Sequence, residues 1–485
     1  MRDLDKDPLW QGEDLGKPVP IHPHAVSVAL PLWEHVVGYE EGDPAVISRF
    51  QAGYPRFFVH PKVEALFDVA RAESANEGED VLVFPTEASA GRCRDYLRAD
   101  SIAARVLPFQ KSETDLHVVC FPVDARSRTR FFWRICGEIV SSRQADAALA
   151  GNVSADADGG AVARDTIRRR LAELAGQSAD DVFLFSSGMC GVSTLHRALC
   201  AIRPGRKSVQ LDFPYVDVLK VQEEVGCGVV FLGRGDEVDL ENLEGLLKAD
   251  DVSGIYCEFP SNPLLRSVDL ERVSHAARAA GVPLIVDDTI ASIVNVDVYR
   301  FADVVTTSLT KYFSGVGNVM AGSAILNRDS PYHEAFAEAF ARENPILWDG
   351  DAVIREANSR DFADRMCRIN IHAEAAYHHF REQPGIAEVY YPLSQTPDLF
   401  QQAQRPGAGC GGLLSIVHEN PADAVTYYDS LRVSKGPSLG TNFSLVCPYT
   451  LLAHYTELDW AANCGVPRHL IRISVGVNGF PGVQG

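Results

Sequence analysis

The sequence predicts an α/β fold with a mainly parallel central sheet, followed by a smaller α+β domain. Three observations carry that prediction. Between Asp181 and Leu326, short apolar runs (VFLF, SVQL, VVFL, GIYC, PLIV, VVTT) alternate with helical segments, the pattern of a parallel sheet covered on both faces. Beyond about Asn327 the pattern becomes mostly helical, and GGLLSIV and LIRISVGV then read as strands. A chain of 485 residues also has length for two or three domains.

In chain order, residues 1–61 open with a Pro-rich stretch to about Trp33 (LGKPVPIHPHAVSVALPLW) that is unsuited to a helix. It reads as an extended arm lying over a neighbouring subunit, hence as the mark of a homo-oligomer. Residues 62–160 contain strand-like VLVFP and VVCFP, each followed by a helix-like run (EASAGRCRDYL, SRTRFFWRICGEIV), and form an inserted α/β layer. GNVSADADGGA, from Gly151, reads as a surface loop, after which ARDTIRRRLAELAG places Ile167, Leu171 and Leu174 on one helical face. Residues 161–326 carry the central sheet as a large domain, and residues 327–485 form the smaller one.

A formal charge of −20 and a pI near 5.1 oppose nucleic-acid binding, which requires clustered Lys and Arg against phosphates. A small polar metabolite suits this balance better. The first residues carry acids and prolines where a secretory signal is apolar, and no stretch matches a membrane span, so a cytoplasmic location is expected. Eleven cysteines without paired CxxC spacing read as reduced, mostly buried thiols, with Cys190, Cys257 and Cys410 in packing roles and no metal site.

The chemistry centres on TTSLTKYFSGVGNVMAGS, where Lys311 follows the strand VVTT, flanked by Ser308, Thr310 and a glycine-rich stretch. A lysine so placed can hold a cofactor aldehyde as a Schiff base and then, once freed, move protons, provided burial lowers its pKa. About two dozen residues upstream, PLIVDDTIAS sets Asp287 at the end of an apolar strand, with Asp288 beside it. A fixed carboxylate there can keep the ring nitrogen of pyridoxal-5′-phosphate (PLP) protonated, the condition for its action as an electron sink. Further upstream, VFLFSSGMCGVSTLHRAL reads as strand, tight turn and helix, so the amides of Gly188 and Met189 suit a phosphate dianion.

With these residues in hand, the chain resembles the γ-subfamily of fold-type-I PLP enzymes, the cystathionine γ-synthase and cystathionine lyase group, and within it the fungal synthases. The matching stretches are LGKPVPIHPHAVSVALPLW, YEEGDP, GYPRFFVHP, LFSSGM, FPYVDVLK, EFPSNPLLRSVDL, SLTKYFSGVGNVMAGS, NSRDF, KGPSLGTNFSLVCPYTLLAHY and LIRISVGV, spanning Leu15 to Val477. The resemblance implies that Lys311 is the Schiff-base lysine, that Asp287 pairs with the pyridine nitrogen, and that Ser308, Thr310, Gly188 and Met189 hold the phosphate. It implies further that Tyr54 and Arg56 form a Tyr-x-Arg pair reaching into the phosphate site of the next subunit. An aromatic ring stacks on the cofactor in the family; Phe213 and Tyr215 both compete for that place, and Tyr215 is taken. Asn262 corresponds to the asparagine beside the cofactor's phenolic oxygen, Arg472 to the arginine that grips the substrate α-carboxylate, and Ser438 to its helper.

The implied reaction is γ-replacement on an O-activated L-homoserine, with O-acetyl-L-homoserine and L-cysteine giving L-cystathionine, in a dimer or tetramer. Capture of a carbon nucleophile such as a β-keto acid or ester, cystathionine cleavage, and an inactive PLP-fold scaffold are the alternatives. The chain departs from the family pattern in several places. The separation of Arg56 from Gly188 is much larger than in bacterial relatives, VDD stands where VDN is usual, and Cys190 sits in the phosphate turn. The chain also ends in NGFPGVQG, where the family continues into a helix.

Overall fold

A computed structural model describes residues 2–54, 56–111, 114–151, 157–343 and 347–483. Three strands, β1 (Glu79–Phe84), β2 (Arg105–Lys111) and β3 (Thr114–Pro122), form an antiparallel sheet in the order β1-β3-β2. The helices Pro61–Ser74, Glu87–Ala99 and Arg126–Cys136 close over it, burying Phe67, Leu97 and Trp133 in a core separate from that of the central sheet. β2 escapes the pattern reading because RVLPFQK, with its internal proline, lacks an apolar run.

The central sheet takes β4 (Val182–Phe185), β5 (Lys207–Leu211), β6 (Val229–Leu232), β7 (Val252–Glu258), β8 (Leu284–Asp287), β9 (Val304–Thr307) and β10 (Gly322–Leu326) in the order β4-β10-β9-β8-β7-β5-β6. Neighbours from β9 through β8, β7 and β5 to β6 are parallel, whereas β10 runs antiparallel to both β4 and β9. The reversed strand GSAIL begins with small residues for a steric reason: a side chain at Gly322 would meet the Ser187 carbonyl oxygen at 2.4 Å. Successive residues of β8 alternate between two cores, Leu284 and Val286 on one face and Ile285 on the other, as two-sided burial demands.

The C-terminal sheet joins β11 (Ile386–Tyr390), β12 (Leu413–His418), β13 (Ser434–Lys435), β14 (Leu445–Pro448) and β15 (Ile471–Ser474) in the order β11-β12-β15-β14-β13. The helices His333–Glu343, Asp349–Asn358 and Phe362–Arg381 precede it. The molecule is therefore α/β with a large mixed sheet and a separate C-terminal sheet domain. Of the loop expected over GNVSADADGGA, residues 152–156 lie outside the described residues, and Ala157 already begins the helix Ala157–Ala175.

The Pro-rich opening is extended and makes hydrogen bonds to the C-terminal sheet of its own chain. Leu30 N–H donates to the Lys435 carbonyl (3.1 Å), Tyr428 Oη donates to the Leu30 carbonyl (2.6 Å), and the buried Lys435 ammonium donates to the Pro31 carbonyl (2.8 Å). β13 is an edge strand of the C-terminal sheet, and the arm satisfies its free backbone groups. All eleven cysteines are free, with Cys190, Cys257 and Cys410 buried. Among the described residues no helix is long and apolar enough to cross a membrane.

Candidate active site

The carboxyl ends of β7, β8 and β9, the turn after β4 and the loops of the C-terminal sheet converge on one cavity. Lys311 lies four residues beyond β9, its Nζ 3.4 Å from Ser438 Oγ and 5.9 Å from the ring centre of Tyr54. Burial, reinforced by the positive charges of Arg472 and Arg56, pushes its amine down to about 7. The neutral amine, the form that attacks a carbonyl, is thus available near neutral pH. Two arginines that sequence reasoning missed hold the lysine's loop from behind. The fully buried Arg355 donates to the carbonyls of Leu309 and Val319, and Arg365 donates to those of Tyr312 (3.0 Å) and Phe313 (3.1 Å).

The helix Gly188–Ile202 points its N-terminus into the same cavity, capped by Ser187, whose Oγ accepts from Cys190 N–H at 3.0 Å. Gly188 and Met189 occupy its first turn, where backbone N–H groups lack intrahelical acceptors. A Cβ on Gly188 would lie 3.0 Å from Ser308 Cβ, so only glycine keeps the space between helix end and Ser308 open. Thr310 Oγ1 accepts from Ala321 N–H and donates to its carbonyl, both at 3.2 Å, which pins the start of the lysine turn against β10.

The structure separates the two adjacent aspartates. Asp287 faces the cavity, accepting from Thr289 N–H (2.9 Å) and Thr306 Oγ1 (3.0 Å), while Asp288 is fully buried on the other side of the strand and accepts from Thr307 Oγ1. Burial pushes the Asp287 carboxyl up, against its hydrogen bonds to Thr289 and Thr306, so a cationic N–H opposite it would find a poorly compensated anion. The two aromatics of FPYVDVLK take different places. Tyr215 lines the cavity, whereas Phe213 packs against Trp460 and His454 at ring-centre distances of 5.2 and 5.0 Å.

Arg472 is 4% exposed and donates to the Pro437 carbonyl (2.8 Å) and to Asn262 Oδ1 (3.3 Å). Among the described residues no carboxylate lies within ion-pair distance of it, so a buried guanidinium waits on an anion. Tyr449, absent from the expected set, lies under that guanidinium with its ring centre 4.5 Å away, and its hydroxyl accepts from Asn262 Nδ2 at 3.0 Å. Glu258 was missed too. Its carboxyl accepts from the N–H groups of Tyr215 (2.6 Å) and Asn262 (3.2 Å), tying two cavity residues to the end of β7. Both lie inside motifs already noticed, but burial against the cavity is a tertiary property that spacing does not carry.

Tyr54 and Arg56 are brought together with the other expected residues. Both line the cavity of their own chain, with Arg56 donating to Asp217, to Tyr215 Oη and to the Arg134 carbonyl (3.0 Å). The inserted layer supplies one of the anchors, the Arg134 carbonyl.

The family model described as Cys/Met metabolism PLP-dependent enzyme matches residues 159–482, and that described as fungal trans-sulfuration enzyme, N-terminal domain, matches residues 62–141. The chain belongs to the Cys/Met-metabolism PLP-dependent enzymes. It is 34% identical to the cystathionine gamma-synthase of Neurospora crassa, over 96% of each chain. It is also 34% identical to the cystathionine gamma-synthase-like enzyme iboG2 of Amanita muscaria, over 95% of this chain and 94% of that one. Among solved structures it is similar to a cystathionine gamma synthase from Xanthomonas oryzae pv. oryzae, with a TM-score of 0.58 and 25% identity over 65% of this chain and 81% of the other. The protein is an enzyme, its fold is that of fold-type-I PLP enzymes, and its cofactor is pyridoxal phosphate.

The cavity fits that cofactor on chemical grounds. An open cradle of helix N-terminal amides beside Ser308, a cavity-facing carboxylate at Asp287 and a lysine amine of lowered pKa match a phosphate, a pyridinium and an aldehyde.

Proposed function

We propose that the enzyme carries out γ-replacement on an O-activated L-homoserine, O-acetyl-L-homoserine in the first instance, with L-cysteine as the nucleophile and L-cystathionine as the product. The observation that carries the reading is Arg472, a buried cation with no carboxylate partner among the described residues, in the cavity that holds Lys311. Arg472 would take the substrate α-carboxylate in a two-pronged grip, with Asn262, Tyr449 and the Ser438 loop fixing the guanidinium plane. That grip directs the α-amino group towards Lys311.

Gly188, Met189, Ser308, Thr310 and Arg56 would hold the cofactor phosphate, Asp287 its ring nitrogen, Tyr215 its ring face and Asn262 its phenolic oxygen. Bound there, PLP supplies an electron sink for charge developing at the substrate's α- and β-carbons. Lys311, once free, accepts the Cα proton and moves protons at Cβ as the γ-ester leaves and the nucleophile takes its place. Its depressed pKa suits it to both acceptance and return of a proton near neutrality.

One pH prediction follows directly. Because the neutral amine is the reactive form and its pKa is about 7, attachment of added PLP to the apoenzyme should accelerate with rising pH below that value and level off above it. Stopped-flow absorbance across that range checks it; a rate still climbing towards the ordinary lysine pKa would show that the amine is not depressed.

A second reading, capture of a carbon nucleophile, has a specific observation in its favour. Val26, Tyr39, Met320, Leu439 and Leu452 line cavity wall outside the cofactor and α-carboxylate contacts, and an apolar wall welcomes a β-keto ester better than a second zwitterion. Incubation of the holoenzyme with O-acetyl-L-homoserine and a panel of thiols and β-keto compounds, with products identified by mass, decides between them. Cystathionine as main product supports the first reading. Unchanged products with cysteine, alongside efficient capture of a β-keto ester, replace it by the second.

A further inference from the structure

The second aspartate of the VDD motif, Asp288, takes no part in the reaction proposed above. It is fully buried just beyond β8, its Oδ1 accepts from Thr307 Oγ1 at 2.5 Å, and its Oδ2 is buried without a hydrogen-bond partner. The cation whose charge reaches it is Arg405, but that guanidinium donates to the carbonyls of Ile293 (3.0 Å), Val296 (3.2 Å) and Leu174 (2.9 Å). Among the described residues no basic side chain forms an ion pair with Asp288. The other titratable groups around it are Asp287, which stands opposite Glu258 in the register of β7 and β8, and Tyr299 from the following loop, which also feels Asp297. From β9 it meets the uncharged Thr307.

An anion in this place would leave one oxygen desolvated with nothing donating to it, and a buried carboxyl avoids that cost by keeping its proton. Burial accordingly pushes Asp288 up to about 7, against the hydrogen bond from Thr307 and with the charge of Asp287. The neutral acid has the outline of an amide: Oδ1 accepts from Thr307, and the O–H stands where an amide NH2 would. Aspartate can therefore occupy the place where VDN is usual without burying a bare charge. The difference is that an amide cannot ionise and the acid can.

We propose that Asp288 serves as a neutral carboxylic acid in place of an amide, and that its ionisation adds a second negative charge behind Asp287, so that the hold on the cofactor ring nitrogen tightens as the pH rises. The inference rests on the reading that Asp287 takes that nitrogen. Asp288 is a positioning residue: it lies outside the cavity wall and acts through the field at Asp287, its neighbour in the chain.

Three variants test it. Asp288→Asn keeps the shape and the bond from Thr307 but cannot ionise. Because the folded carboxyl lies above its unfolded value, its proton favours the fold at low pH, and that contribution is lost as the pH rises to about 7. The Tm of the Asp288→Asn apoenzyme minus that of its parent should therefore widen from acid pH to about 7 and hold steady above it. A gap independent of pH overturns the neutral acid. Thr307→Val removes the donor that favours the anion, so it should lose more Tm above about pH 7 than below it, and an equal loss throughout overturns the neutral acid too. The second half is read from the binding of PLP and of its carbocyclic analogue, in which C–H replaces the ring nitrogen. The parent's preference for PLP, divided by that of Asp288→Asn at the same pH, should grow about tenfold as the pH passes about 7, the scale of one charge acting over several ångströms at an effective dielectric of about 20. A flat quotient overturns the coupling to the ring nitrogen. Asp287→Ala is the control: if it leaves the preference for PLP intact, the ring-nitrogen reading itself fails.

Discussion

Replacement of Lys311 by alanine should abolish turnover, by roughly ten-thousandfold or more, while the protein remains folded. Both proposed tasks of the lysine, attachment of the cofactor and proton transfer, disappear together, and acid–base catalysis alone is worth about a hundred- to ten-thousandfold. Folding should survive because the amine has no ion-pair partner among the described residues and makes one long hydrogen bond, to Ser438 at 3.4 Å. Its burial disfavours its charge, so removal strands nothing. Assayed product formation together with thermal unfolding checks both halves. Substantial γ-replacement by the variant contradicts the assignment.

Arg472→Leu should lower kcat/KM by about a hundredfold or more, the scale at which a desolvated carboxylate loses a charged partner. The cavity excludes water around that guanidinium, so the pairing is worth more than an exposed ion pair, whose contribution is about 0–1 kcal/mol. The loss should fall on the amino-acid substrate and leave PLP binding close to that of the parent. Unchanged kcat/KM means that the α-carboxylate binds elsewhere, with Arg472 serving only the carbonyls of Pro437 and Ser438.

Lys311, Asp287 and the Gly188 turn are legible in the sequence because each joins a chemical group to a strand end, and strand ends are visible as apolar runs that stop. β10, β13 and β14 are not legible: GSAIL opens with small residues, and the other two strands have two and four residues. Glu258, Asp217 and Tyr449 stay hidden for a different reason. Each is a polar residue whose significance comes from burial beside groups distant in sequence, and nothing in its own spacing separates it from a surface residue. The arm shows the same limit. Its extended character follows from its prolines, but its course along β13, and the seating of Arg56 against Arg134 and Asp217, follow from contacts with residues distant in the sequence.

The most direct test of the central claim is the position of the cofactor linkage. The holoenzyme would be reduced with borohydride, digested and mapped by peptide mass spectrometry. The phosphopyridoxyl mass is predicted on the peptide containing Lys311. Lys435 provides the internal comparison, since burial pushes its amine down to about 8 as well, yet it is spent on the carbonyls of Pro31 and Asp429. The label on Lys435, or on no lysine at all, would contradict the site described here.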